Sequence, residues 1–244
     1  MGIEQLTDIE IIEGIFDIMF VLISMFTGVK LVLKYFSHKQ ISLITIGLAW
    51  ILFSLTWSAG ALSIILIIFF DILLDKTVFL IMANAFSPIA LVCWIYSFCK
   101  LLYSQYIKYI VPAYVIICTI YELLLFYLIF TAPERVAVFY ATFFYRPQLF
   151  TFIFYVFGVT SILITGILFT IETFKSIDQK LRWKGRFLLL AFISLTISIT
   201  LNGILTISPV IYFFIKILQI SSAFEYYLGF FLPEKIAKFL IKEN

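Results

Sequence analysis

Apolar residues run along this chain in stretches much longer than a core strand or an amphipathic helix requires, with polar residues gathered between them. A helix rises 1.5 Å per residue, so about 20 mostly apolar residues reach across the hydrocarbon core of a bilayer. The pattern predicts seven such spans, near 11–36, 40–58, 77–103, 107–130, 148–174, 186–206 and 209–232. Their punctuation suits helix ends: Ser208 before Pro209 reads as a cap with proline at the first helical position, Asn202-Gly203 loosens the sixth span, and Pro233 stops the seventh. Pro88 falls inside the third span and should kink it unless the carbonyl it frees finds a partner.

Residues 61–74 are apolar but short, and Asp71 interrupts them. Joined to the preceding span they make a rod too long for one upright crossing. Charge decides how to count them, because cytoplasmic loops collect Lys and Arg. With seven spans and an outer N-terminus, the inner side receives Lys30, Lys34, Lys39, Lys100, Lys108, Lys175, Lys180, Arg182, Lys184, Arg186, Lys235, Lys238 and Lys242. The outer side holds only Lys76, Arg135 and Arg146. An eighth span would scatter these charges over both faces. The expectation is therefore an all-α membrane protein: a seven-transmembrane-helix bundle with an additional short outer re-entrant or interfacial helix over 61–74, turned by an interfacial Trp57. It forms a single transmembrane domain over 1–244, without a soluble domain, with the C-terminus in the cytoplasm. Tyr103, Tyr106 and Tyr109 inside, and Tyr140 and Tyr145 outside, fall where aromatic belts are expected.

Composition strengthens this reading. Charged residues make up 13% of the chain and apolar ones 64%, whereas a soluble domain is about a quarter charged. The net charge of +3 lies in clusters at span ends, which is topology and not a nucleic-acid surface. The acidic start MGIEQLTDIEIIEG does not resemble a cleaved signal peptide. Cys93, Cys99 and Cys118 lie in apolar stretches without metal-ligand or disulfide spacing and read as core residues. No cofactor motif, metal site or catalytic constellation stands out, and the single histidine, His38, sits in a basic loop, which argues against an enzyme.

Candidate chemistry therefore rests on polar residues at membrane depth, where a charge is costly and faces protein or water. Asp17, Glu122 and Lys216 are each placed in the outer half at similar depth. The first and seventh helices of a closed ring are neighbours, so Asp17 and Lys216 should pair. The three form a candidate ligand-binding cluster, with a structural ion pair as the alternative. Asn84, Asn202 and Glu225 are further intramembrane polar positions. Glu225 lies at the depth of Lys30, but 100° per residue turns it away from Lys216. Glu10 and Glu13 share a helical face with Asp17. One reading of the three is an acidic vestibule that attracts cations; the reading favoured for Glu10 and Glu13 is a solvated helix start, where acids suit the positive dipole end. In the inner loop KSIDQKLRWKGRF, the residues Lys180, Arg182, Trp183, Lys184 and Arg186 suit lipid headgroups or a separate cytoplasmic or membrane partner.

The phrases KGRFLLLAFIS at 184–194 and ISSAFEYYLGFFLPEKI at 220–236, with the stretch from Trp57 through Asn84, Pro88 and Trp94, resemble a group of uncharacterised archaeal seven-transmembrane proteins. The layout is also similar to the seven-helix sensory regions that precede some histidine kinases. That resemblance implies a sensory or ligand-binding module, here ending at Asn244 without an output domain of its own. A small-solute or ion transporter, or a structural subunit of a membrane complex, is the alternative. A lysine in the seventh helix resembles the retinal-binding lysine of microbial rhodopsins, but residues 77–103 hold no acid to serve as its counter-ion.

Overall fold

A computed structural model describes residues 4, 6–142, 144–204 and 209–241. Ser208 and Lys242 lie outside them. Helix α1 (Asp8–His38) starts at a capping box: the Thr7 hydroxyl accepts the Glu10 amide, and the Glu10 carboxylate accepts the Thr7 amide. It ends at Lys39, whose left-handed backbone sends its amide to the Tyr35 carbonyl. Helix α2 (Ile41–Ser54) passes through one tight turn, Leu55–Trp57, into α3 (Ser58–Phe70). Helix α4 (Lys76–Asn84) is capped by Asp75 and is interrupted at Ala85 before α5 (Phe86–Leu102). Then come α6 (Ile107–Thr131), a short hairpin of β1 (Ala137–Phe139) and β2 (Tyr145–Pro147), α7 (Leu149–Phe174), α8 (Gln179–Ile204), α9 (Pro209–Phe231) and α10 (Glu234–Leu240). The hairpin is antiparallel with Val138 opposite Arg146, a small departure from an all-α chain.

Among the described residues, six helical rods are long and apolar enough to cross a membrane: 8–38, 41–70, 76–102, 104–131, 149–174 and 179–202. This is a multi-pass membrane architecture. Large apolar side chains point outward along it, among them Leu22, Leu123, Phe130 and Ile153, a surface suited to lipid and not to water. The 23-residue α9 is comparable in length, but Lys216, Gln219 and Glu225 dilute its apolar character.

One expectation changes. Residues 61–74 do not form a separate re-entrant or interfacial helix. Leu55 and Ser58 keep right-handed helical angles, so α3 carries α2 onward beside α1 until Asp71 ends it in a left-handed turn. Trp57 is accordingly half-buried, packed on Phe20 and Phe53. At Pro88 the condition set for a straight helix is met: Ala85 keeps right-handed helical angles, and the Asn84 carbonyl, which would face the missing Pro88 amide, accepts the Ser87 hydroxyl at 2.9 Å.

Packing runs from α9 to α1, then to α2–α3, α5, α7, α8 and back to α9, closing a ring. Helix α6 packs on α5 and reaches α7 through Tyr121, stacked 3.7 Å from Phe154. At the α1–α2 crossing a Cβ on Gly47 would meet the Gly28 carbonyl at 2.7 Å, so the contact tolerates only hydrogen there. The rest of the interior mixes aliphatic side chains with aromatic ones, among them Trp50 and Tyr226 stacked at 3.6 Å.

Candidate functional site

The half of the ring nearer the N-terminus of α1 holds a cavity of about 190 Å³. Helices α1, α2, α3, α4, α5, α7, α8 and α9 line it, together with the hairpin. On the usual measure of 10–15 Å³ for a water, it holds on the order of ten water-sized units, enough for a small organic molecule.

Its charged wall comes from α1. Glu13 and Asp17 lie one helical turn apart and face α9, where Lys216 is fully buried. The Lys216 ammonium donates to Asp17 Oδ1 at 2.8 Å and stands 3.8 Å from Glu13 Oε1. The expected Asp17–Lys216 pair is therefore formed. Gly60 on α3 makes room for it, since a Cβ there would fall 2.4 Å from Asp17 Oδ2. Two acidic side chains thus face one ammonium, and Glu13 Oε2 has no hydrogen-bond partner among the described residues. The amide nitrogen of Gln219, one turn beyond Lys216 and 2% exposed, is likewise unpartnered. Glu13, Asp17 and Gln219 all line the cavity. Buried polar atoms are normally bonded, so free ones at a cavity wall mark places where a guest is missing.

A second polar wall is built by α4, α7 and the hairpin. Asn84, fully buried, donates to the Leu80 carbonyl and accepts the Tyr155 hydroxyl at 2.7 Å. The Tyr155 proton being committed there, Tyr145 donates to Tyr155 at 3.3 Å. Burial pushes the Tyr145 hydroxyl up to about 12, and the charges of Glu13 and Asp17 push it the same way, so it keeps its proton. The hairpin is tied to α1 as well, since the Thr142 amide donates to Glu10 Oε1 at 2.7 Å.

Other expected positions fall elsewhere. Glu122 does not join Asp17 and Lys216, because α6 packs mainly on α5 and α4, outside the ring that brings α1 against α9. Glu10 and Glu13 are not a solvated helix start: both are buried, one in the cap and hairpin tie, the other in the ion cluster. Asn202 does line the cavity. Glu225 accepts the Ser221 hydroxyl at 2.7 Å, and Lys30 instead donates to the Tyr227 hydroxyl, over the ring of Phe231. The basic residues Lys180, Arg182, Trp183, Lys184 and Arg186 occupy the first turns of α8, with the Arg186 guanidinium 4.3 Å over the Trp183 ring. They do not line the cavity. Cys93, Cys99 and Cys118 are free thiols.

Sequence reasoning placed Glu13 on the face of Asp17 but assigned it to solvent, and it missed Gln219. The signal was present in both: Glu13 is four residues from Asp17, and Gln219 three from Lys216, spacings that put each pair on one helical face.

No known family matches. Neither family models, curated proteins nor solved structures show a significant likeness to this chain, so the cavity itself carries the functional reading.

Proposed function

We propose that this chain is a seven-pass membrane protein, with α9 as the seventh crossing, its N-terminus outside and its C-terminus in the cytoplasm. Its function is to bind a small molecule in the outer-half cavity, in a sensory or ligand-binding role. The carrying observation is the pair of unpartnered polar groups, Glu13 Oε2 and the Gln219 amide, at the wall of a cavity large enough for a guest. An ion pair kept only for packing needs no adjacent void. Positive charge at the opposite end of the bundle supports the orientation.

Gly158 supplies the test. It lines the cavity, and a Cβ there meets nothing nearer than Leu91 Cδ2 at 4.0 Å. Gly158→Leu should therefore fill the void while favouring α7 by several tenths of a kcal/mol in helix propensity. Native mass spectrometry of protein taken gently from its own membrane should show a stoichiometric, non-bulk ligand in wild type and none in Gly158→Leu. Bulk lipid alone in both would overturn the binding role.

One observation favours a second reading, small-solute transport. The hydrogen-bond ladder of the α4–α5 rod is interrupted next to Pro88, and Ala83 and Ser87 on either side of that point line the cavity. Broken helices at a binding site are a recurring transporter device. Flux of the captured ligand across reconstituted liposomes separates transport from sensing.

A further inference from the structure

Resting on that reading of the cavity, we propose that its ligand is a small organic cation, an amine or quaternary ammonium that also carries a hydrogen-bonding oxygen. The only charged side chains lining the cavity are Glu13 and Asp17, both acids. Lys216 lies behind them, at 2.8 Å from Asp17 and 3.8 Å from Glu13, with its ammonium 5.5 Å from the Tyr212 ring centre. The closer partner of the ammonium is Asp17, and the outer oxygen of Glu13 is left unpartnered. An anionic guest would meet two acidic side chains with the lysine already engaged by them and is disfavoured.

The remaining wall says which kind of cation fits. Aromatic rings dominate it: Phe53, Trp57 and Phe79 from the helices, Tyr140, Phe144 and Tyr145 from the hairpin. Ring faces attract a poorly hydrated organic ammonium, which an aromatic enclosure can desolvate without supplying replacement oxygens. A metal ion demands several oxygen or nitrogen ligands at short range. No cluster of three or more side chains able to hold one occurs among the described residues. The Gln219 amide is a second, independent feature, nearly fully buried and without a partner on the same cavity. An amide satisfies a hydroxyl or carbonyl oxygen on the guest, and Tyr145 adds a further hydroxyl to that wall. The site thus reads a positive head and a polar oxygen a short distance apart, within a volume that excludes a two-chain lipid.

The test uses the full chain in nanodiscs, emptied by extensive dialysis, and titration calorimetry. The probes are choline, ethanolamine and tetramethylammonium, compared with the neutral carbon isostere of choline, in which a tert-butyl group replaces the trimethylammonium. The expected result is that at least one of the three cations binds about tenfold or more tightly than the isostere. Glu13→Gln should weaken the cation about tenfold while leaving the isostere unchanged. If that variant does not fold, the wild-type comparison decides alone. Isostere and cations binding equally would overturn the cation inference while leaving the cavity as a ligand site, with a proton neutralising Glu13. If no cation binds but wild type from its own membrane carries a different, uncharged ligand that Gly158→Leu loses, the inference again fails and the binding role stands. Absence of both results removes the two together.

Discussion

The two halves of α1 meet their neighbours in different ways. Its C-terminal half, the inner one in the proposed orientation, is closed by contact alone: Gly28 lies against Gly47 with no room for a methyl group, and Lys30 rests on the Tyr227 hydroxyl and the aromatic faces around it. Its N-terminal half, the outer one, adds charge to contact: Gly14 lies against Ile64 with no room for a methyl group, while Glu13 and Asp17 reach across to Lys216 and a void remains beside them. A lysine occurs in each half, but one is satisfied by rings and a hydroxyl near the bundle's end, the other by carboxylates in full burial. Small residues make a helix contact strong by bringing backbones together. Buried charges add little net stability over an apolar replacement and leave polar groups to be satisfied. The inner half therefore holds the bundle, and the outer half keeps a site.

Removing Lys216 tests this contrast most severely. Lys216→Ala leaves two acids buried without a counter-charge, and thermal unfolding in detergent should show a loss of about 3–5 kcal/mol. A double change, Lys216→Met with Asp17→Leu, should recover much of that loss, because the apolar pair needs no counter-ion. In the inner half, Gly28→Leu drives a side chain into Ile51 and the Gly47 carbonyl and should cost about 1–3 kcal/mol. It should leave ligand affinity in the surviving folded fraction unchanged. Gly60→Ala acts the other way. Its methyl displaces the Asp17 carboxylate, so ligand binding should fall even where the melting temperature moves little. The smallest effect is expected for Lys30→Met, about 1 kcal/mol or less by the same unfolding measurement, since its aromatic contacts suit an apolar chain nearly as well. A loss at Lys30 equal to that at Lys216 would erase the distinction between the halves.

Much of this was legible in the sequence. Apolar run lengths located most helical rods to within a few residues, because a bilayer imposes length directly. The exceptions are the second rod, which runs on to Phe70, and α8, which begins at Gln179, seven residues before its expected start. Depth from the helix ends, together with ring closure, brought Asp17 and Lys216 together. What failed required knowledge of packing. Nothing local distinguishes Leu55–Trp57 as a continuing helix from a turn, and the outcome depends on α1 offering a surface for α3 to follow. Glu122 has the same depth as Asp17, but depth does not report that α6 stands outside the ring. Glu13 was legible in its spacing yet assigned to solvent, since an acid near a helix start is usually solvated. Here the hairpin covers it, and the Thr142 tie that helps hold the hairpin in place leaves no mark in the local pattern.

The Gly28–Gly47 contact has a mechanical consequence. Asp17 lies about 16 Å from Gly28 along the helix axis, and His38 about 15 Å on the other side. A second tight point lies at Gly14, where a Cβ would fall 2.6 Å from Ile64 Cβ. The two glycines are about 21 Å apart along the axis, so α1 is clamped at two points against the α2–α3 rod and tilts only together with it.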